Sequence, residues 1–429
     1  MLGTKGTGME GDAFVRPASV DRIPTEFQYW TNMKEAGAQK RRRRLRMLLG
    51  FDPVLPDELV RTFAYSYYDA DPVAEAFVED VYLARGQAAG RALVDRALEC
   101  GVASIEDAPA SLRALFAEVE TEPAWLDWEK VELGARVWRR HGTHVFSFAG
   151  AATLEGYHEC SVAKPLAFTG AYAGESAHRR FLETVAFWID VSEPGGLRPG
   201  GTGRKTALRV RLMHVFVRKR LLRHPAWDLD AWGVPISQAD GLVTLMAGSV
   251  GLVALKKLGY RTSREEIEAL MHFWRYVGHL MGMQPRWYPP TYEDGLRLLF
   301  TTLEKGAKKA GEDGVVLARS YVRSYAPREG DPPLVALRKR LEYHIELGYT
   351  HFFVSSASFR AFGLPDPGLW RFHPYAQAPL VFALETARKH VGRIDDWAER
   401  FARRRAQQWL DAHLGPRRAE YKAVETFTR

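Results

Sequence analysis

The chain has 429 residues, with 60 Lys and Arg against 52 Asp and Glu, a net charge of +8, and 46% hydrophobic and 12% aromatic content. That length and apolar share exclude a disordered chain and provide for one large domain or two ordinary ones. The two cysteines, Cys100 and Cys160, exclude a disulfide framework and a four-cysteine zinc site; both are expected as buried thiols, which fits a reducing compartment.

Residues 1–25 are glycine-rich and lack periodicity, and Lys40-Arg41-Arg42-Arg43-Arg44-Leu45-Arg46 follows. Residues 1–50 are therefore expected to form a mobile, basic N-terminal segment. Only Met47-Leu48-Leu49 follows the basic run, too little for a secretion signal. No stretch approaches ~18 consecutive apolar residues, so a cytoplasmic chain without a spanning helix is expected.

From Asp57 onward apolar residues recur three and four apart. The spacing predicts helices over 57–69, 71–84, 87–99, 109–121 and 127–140, with Asp71 as an N-cap before Pro72. Residues 143–157 are small and apolar all round, and read as a central helix in which Gly150, Ala151 and Ala152 admit a close neighbour, either a helix or a flat cofactor. Helices follow near 177–189 and up to Arg223, then over 239–257 and 263–281. Ser237 is a cap candidate for the first of this pair, and Thr262-x-x-Glu265 matches a capping box for the second. Further helices are expected over 291–310, 314–325, 333–346 and 377–413, with Thr350–Val354 as an isolated strand candidate. No βα alternation appears. The class is all-α: one large helical domain over 51–325, with the helices of 326–429 packed on it.

Several motifs invite chemistry. Gly200-Gly201-Thr202-Gly203-Arg204-Lys205-Thr206 looks like a phosphate loop, but Arg204 stands where Gly must precede Lys, and a helix precedes it instead of a strand. It reads as a flexible connector. His141-x-x-His144 has ligand spacing but lies beside Arg139 and Arg140, and reads as a helix end with two partly exposed histidines. Glu155-x-x-His158 supplies one half of a di-iron pattern without a second, and His272 with His279 is a lone pair on one helix face. The basic runs 40–46, 218–223 and 402–405 accompany no nucleic-acid motif, so no specific nucleic acid is expected; they allow peripheral membrane contact.

Two features remain. Arg180, Glu183, Thr184 and Phe187 share one stripe of the helix near 177–189. His214 sits within the apolar run Arg211-Leu212-Met213-His214-Val215-Phe216. A core histidine and a haem ligand both fit that setting, and composition does not choose between them.

Arg180-x-x-x-Thr184, a glycine-rich loop, then Arg211-Leu212-Met213-His214 resembles the rubber oxygenase (latex clearing protein) family, with which the MpaB-type oxygenases belong. Gly233-x-Pro235-Ile236-x-Gln238-x-Asp240, Trp274-x-x-x-Gly278-x-x-x-Gly282, Trp125-x-Asp127 and Gly156-Tyr157 extend the resemblance over roughly residues 60–300. It implies a globin-like helical core, haem b with His214 as the iron ligand, and Arg180 and Thr184 lining the haem pocket. It further implies dioxygen and an apolar, unsaturated substrate. Glu183 stands where rubber-cleaving members carry a Lys, and Lys164 where they use a Glu. The two charges are exchanged; a Lys164–Glu183 pair in reversed order is compatible with the resemblance, the family's base role does not carry over, and Glu183 and Lys164 are candidates for distal proton handling. The expectation is thus a haem b-dependent oxygenase acting on an isoprenoid or lipid-like substrate. One alternative is a haem-binding sensor or carrier; another is a cofactor-free helical module that binds membrane or nucleic acid.

Overall fold

The computed structural model describes residues 20–170, 176–415, 419 and 421. Among them the secondary structure is helical, with a single isolated bridge between Phe27 and Gly306. The α-helices are, in chain order, α1 (Tyr29–Asn32), α2 (Ala36–Leu49), α3 (Asp57–Tyr65), α4 (Pro72–Phe77), α5 (Gln87–Cys100), α6 (Ala110–Glu120), α7 (Trp128–Arg140), α8 (Thr143–Gly156), α9 (Cys160–Thr169) and α10 (Ser176–Ser192). They continue as α11 (Thr202–Leu221), α12 (Leu229–Trp232), α13 (Gln238–Gly248), α14 (Arg264–Leu280), α15 (Tyr292–Glu304), α16 (Gly311–Arg323), α17 (Pro333–Phe353), α18 (Ser356–Ala361), α19 (His373–Arg388) and α20 (Gly392–Leu414).

Caps set many of these boundaries. Asp71 accepts from the Ala74 amide ahead of Pro72, and Asp127 accepts from the Glu129 and Lys130 amides. Ser237 and Asp240 form a capping box on α13. On α14 the box is Ser263 with Glu266, one residue beyond the expected Thr262 and Glu265. The Thr262 hydroxyl is instead buried 3.3 Å from His141 Nε2.

One hydrophobic core runs through the molecule, and α7, α10, α11 and α14 pack around it. Gly134 lets α7 approach α14 closely: a Cβ there would come under 3.0 Å from Ala269 O and Phe273 Cβ. Gly150 of α8 does the same for Tyr321, so a side chain fills the approach that the small residues 150–152 provide. Gln238–Leu258 is the one stretch among the described residues long and apolar enough to cross a membrane. Here it is an interior element. Leu242, Leu245, Met246, Val250, Leu252 and Leu255 are buried, and the helix breaks at Ser249, whose hydroxyl donates to Leu245 O.

Several expectations change. Residues 1–19 lie outside the described residues; from residue 20 the N-terminal segment forms α1 and α2, and Arg41 binds both carboxylate oxygens of Glu304. Cys160 is buried, but Cys100 is exposed as the last residue of α5. Thr350–Val354 is no strand: Thr350 to Phe353 end α17, where Leu347, Tyr349, Thr350 and Phe352 face the core. The loop before α11 is close-packed at Gly196, Gly201 and Gly203. A Cβ on Gly203 would come under 3.0 Å from Asp190 O and Val191 Cα, and one on Gly201 would meet Gly196 O. The C-terminal helices are tied to the core by Arg140, Glu266, Glu385 and Arg388, with Arg140–Glu266 at 2.9 Å and Arg388–Glu266 at 3.0 Å.

Candidate functional site

Helices α10 and α11 form an antiparallel pair joined by the tight 193–201 loop. Thr206 Oγ1 donates to Asp190 Oδ2 at 2.8 Å near the loop end, which sets the register. With that register, His214 of α11 lies level with the 180–184 stretch of α10.

The arginine three residues before His214 anchors its helix. Arg211 is 1% exposed, donates to both oxygens of Asp71 at 2.7 and 2.8 Å, and reaches Glu118 at 2.8 Å. Four residues after His214, Arg218 donates to Pro235 O at 2.9 Å and to Ile236 O, and lies 3.3 Å from Glu75. These buried pairs fix α11 both along and about its axis.

The His214 imidazole is itself less satisfied. Its Nδ1 is buried without a hydrogen-bond partner among the described residues. Burial, with the charge of Arg218 adding to it, pushes its pKa down to about 4, so the ring is neutral at physiological pH. A neutral imidazole with an unused nitrogen is a competent metal ligand. Among the described residues no group of three or more His, Cys, Asp or Glu could hold a bare ion. A haem brings four nitrogens of its own and asks one axial side chain of the protein. The donor set therefore fits a haem. Met213 opens on a shallow cleft between α5 and α11, which Tyr421 also lines; His214 does not line it. Seating a macrocycle against His214 calls for neighbouring side chains to move aside.

On α10, Arg180 Nη1 donates to Glu183 Oε2 at 2.7 Å, and Arg179 Nε lies 3.4 Å from Glu183 Oε1. Glu183 is buried. Thr184 Oγ1 donates to the Arg180 carbonyl at 3.0 Å within its own helix. Arg180, Glu183 and Thr184 are thus brought together in one turn. Lys164 is not among them: its Nζ binds Asp313 Oδ2 of α16 at 2.6 Å. The expected Lys164–Glu183 pair does not form, because each charge has a nearer partner.

The remaining histidine motifs are structural. His141 is fully buried, not partly exposed; its Nδ1 meets Val137 O at 2.7 Å and burial pushes its pKa to about 3. His144 bonds Tyr260 and Gln377. Glu155 and His158 both reach Ser358 Oγ, at 2.6 and 3.0 Å, and secure the start of α18. His272 Nε2 accepts from the Asp127 amide at 2.9 Å.

Sequence reading missed a half-buried carboxylate beside α10. Glu346 of α17 accepts from Ser147 Oγ at 3.0 Å, and burial pushes its pKa up to about 7. Tyr321 and Tyr325 neighbour it, and Phe181 of α10 packs edge-on against Tyr321 at 5.3 Å. Its partners come from α8 and α16, so no local pattern signals it.

The family described as "ER-bound oxygenase mpaB/B'/Rubber oxygenase, catalytic domain" matches residues 138–343. A rubber oxygenase of Streptomyces sp. (strain K30) is 28% identical over 238 residues, 52% of this chain and 55% of that protein. The match thus spans about half the length of this relative. The solved structure of latex clearing protein LCP in the closed state is similar with a TM-score of 0.59 at 20% identity, covering 79% of this chain and 91% of that one. At that identity the likeness is one of fold. The span 138–343, which holds α10, α11, Arg180, Glu183, Thr184 and His214, is thus similar to the catalytic domain of the mpaB/rubber oxygenase family.

Proposed function

We propose that the protein is a haem b-dependent oxygenase that acts with dioxygen on an apolar, unsaturated, isoprenoid- or lipid-like substrate. The observation that carries this reading is His214. It is a neutral imidazole with an orphaned buried nitrogen, on a helix locked by Arg211 and Arg218, inside the family-matched span. The Streptomyces relative's name, rubber oxygenase, supports the substrate class. In this reading residues 51–325 are the haem-binding unit, and the helices of 326–429 pack on it.

His214 would hold the haem iron through its ring nitrogen, and the Asp71–Arg211–Glu118 cluster keeps that ring at a fixed height on α11. Arg180 supplies a cation for a propionate, and Glu183 holds that guanidinium in place. The Thr184 hydroxyl donates to its own helix and leaves oxygen lone pairs as acceptors. Phe187, Val210 and Leu212 are buried around the pair of helices and keep water out. Haem would supply the iron chemistry that activates dioxygen. Lys164 is held by Asp313 rather than by Glu183.

A haem-binding carrier or sensor is the second reading. It is favoured by the ion pairs themselves: Glu183 is neutralised by Arg179 and Arg180, and Lys164 by Asp313. Visible spectroscopy of the purified chain tests the cofactor, and oxygen consumption with an unsaturated isoprenoid separates the readings. Haem with turnover supports the oxygenase, haem without turnover the carrier, and a colourless folded chain opposes both.

A further inference from the structure

Helix α19 carries a face that none of the described residues covers. From Phe372 to Leu384 the sequence holds no Asp, Glu, Lys or Arg. Pro374, Glu385 and Arg388 point inward and fix the helix on the body. The opposite side exposes Phe372 (60%), Tyr375 (59%), Leu380 (75%) and Phe382 (52%), with Ala376 and Pro379 between them. Large apolar side chains gathered on one uncharged helix face are uncommon on a protein that meets only water.

The rim of this face is cationic. Gly259 abuts α19, where a Cβ would come under 3.0 Å from Ala378 O and Phe382 N, so the preceding Lys256 and Lys257 lie at the helix's side. Both are exposed. Lys257 Nζ stands 6.0 Å over the Phe352 ring, which packs on Tyr375 at 4.8 Å. Arg261 stands 5.3 Å over Phe382, and exposed Lys389 follows the helix end. Among the described residues none of Lys256, Lys257, Arg261 and Lys389 enters an ion pair. The exposed carboxylate near this face, Asp366, is paired with Arg371.

We propose that α19 and its basic rim dock the protein on an anionic lipid surface. An uncharged face carrying Phe, Leu and Tyr, bordered by Lys and Arg, matches an interfacial element that buries its apolar side among acyl chains and sets its cations at headgroup level. Charge also argues against a second copy of this chain as the occupant. A twofold pairing of the same face would bring the rim cations of both copies together. The proposal is independent of any haem at His214.

Co-sedimentation of the full chain with vesicles tests it. Phosphatidylcholine vesicles with a third of phosphatidylglycerol should retain the protein, and pure phosphatidylcholine should retain it less. Phe372→Ser and Leu380→Ser should each weaken binding by about tenfold. Lys256→Gln and Lys257→Gln should each weaken it by about fivefold and flatten its salt dependence. All four positions are exposed, and unchanged melting temperatures verify folding. Wild-type protein that ignores anionic vesicles, or serine variants that bind like wild type, overturns the proposal. A concentration-dependent dimer that Leu380→Ser abolishes, without vesicle binding, does the same and assigns the face to self-association.

Discussion

Arg211 and Asp71 form a bidentate ion pair in which the side chains are 1% and 4% exposed, 140 residues apart in sequence. Glu118 completes the cluster. Removing the arginine strands two carboxylates in the interior, at about 3–5 kcal/mol. Arg211→Met should therefore lower unfolding stability by that amount in urea titration and loosen α11 around His214. A loss under about 1 kcal/mol would contradict the assignment of this cluster as the helix anchor.

The 193–201 loop should tolerate no side chain where α11 begins. Gly203→Ala forces a Cβ against the Asp190 carbonyl and the Val191 backbone, neither of which can rotate away. The expected cost is about 1–3 kcal/mol in thermal or chemical unfolding. Gly200→Ala gives the contrast. A Cβ there meets nothing within 4 Å, but its φ of +80° still strains an alanine, so a smaller loss is expected.

Stability should fall in mild acid. His141 and His178 have folded pKa values pushed to about 3 and about 4 by burial, below an ordinary ~6.5. Between these limits the unfolded chain binds more protons, so their contribution is present above about pH 6.5 and is lost as pH falls toward 4. Glu346 has the opposite sign. Its pKa is raised to about 7, so its contribution is present below the ordinary carboxylate range and is lost as pH rises through 7. Two histidines outweigh one glutamate between about pH 4.5 and 6.5. Glu346→Gln removes the opposing contribution and should steepen the acid loss, by about 1.4 kcal/mol per pH unit. Urea unfolding at stepped pH measures both slopes, and a variant slope equal to wild type would contradict the assignment.

Lys164 and Glu183 should behave as separate residues. Lys164→Gln breaks a pair with Asp313 and should leave the absorption spectrum of the haem-loaded chain unchanged. Glu183→Gln removes a buried carboxylate that neutralises Arg179 and Arg180, and should strengthen binding of an anionic iron ligand such as cyanide. Equal effects from both substitutions would mean that the two side chains do meet.

The helical class and most helix positions are legible because amphipathic periodicity is local. Ser237 and Asp71 are readable caps for the same reason. The capping box on α14 slips by one residue because Thr262 and Ser263 are chemically alike, and only the burial of Thr262 against His141 separates them. Thr350–Val354 has strand-forming residues, but α17 continues through it, where Leu347, Tyr349, Thr350 and Phe352 are all buried. At the candidate site, Arg180, Thr184 and His214 are legible as a spaced set. The partners of Lys164, Arg211 and Glu346 are not, since Asp313, Asp71 and Ser147 lie 149, 140 and 199 residues away. The exposed face of α19 is invisible for a related reason: an uncharged helix reads as interior until its neighbours are known.

In the proposed reading His214 would hold the iron of a bound haem. The visible spectrum of the purified chain, taken alongside that of His214→Ala, tests it most directly. The wild type should show a Soret band that is lost in the alanine variant, while Arg211–Asp71 keeps the variant folded. A wild type that folds yet binds no haem when supplied with it, or a variant whose Soret band is unchanged, would contradict the account.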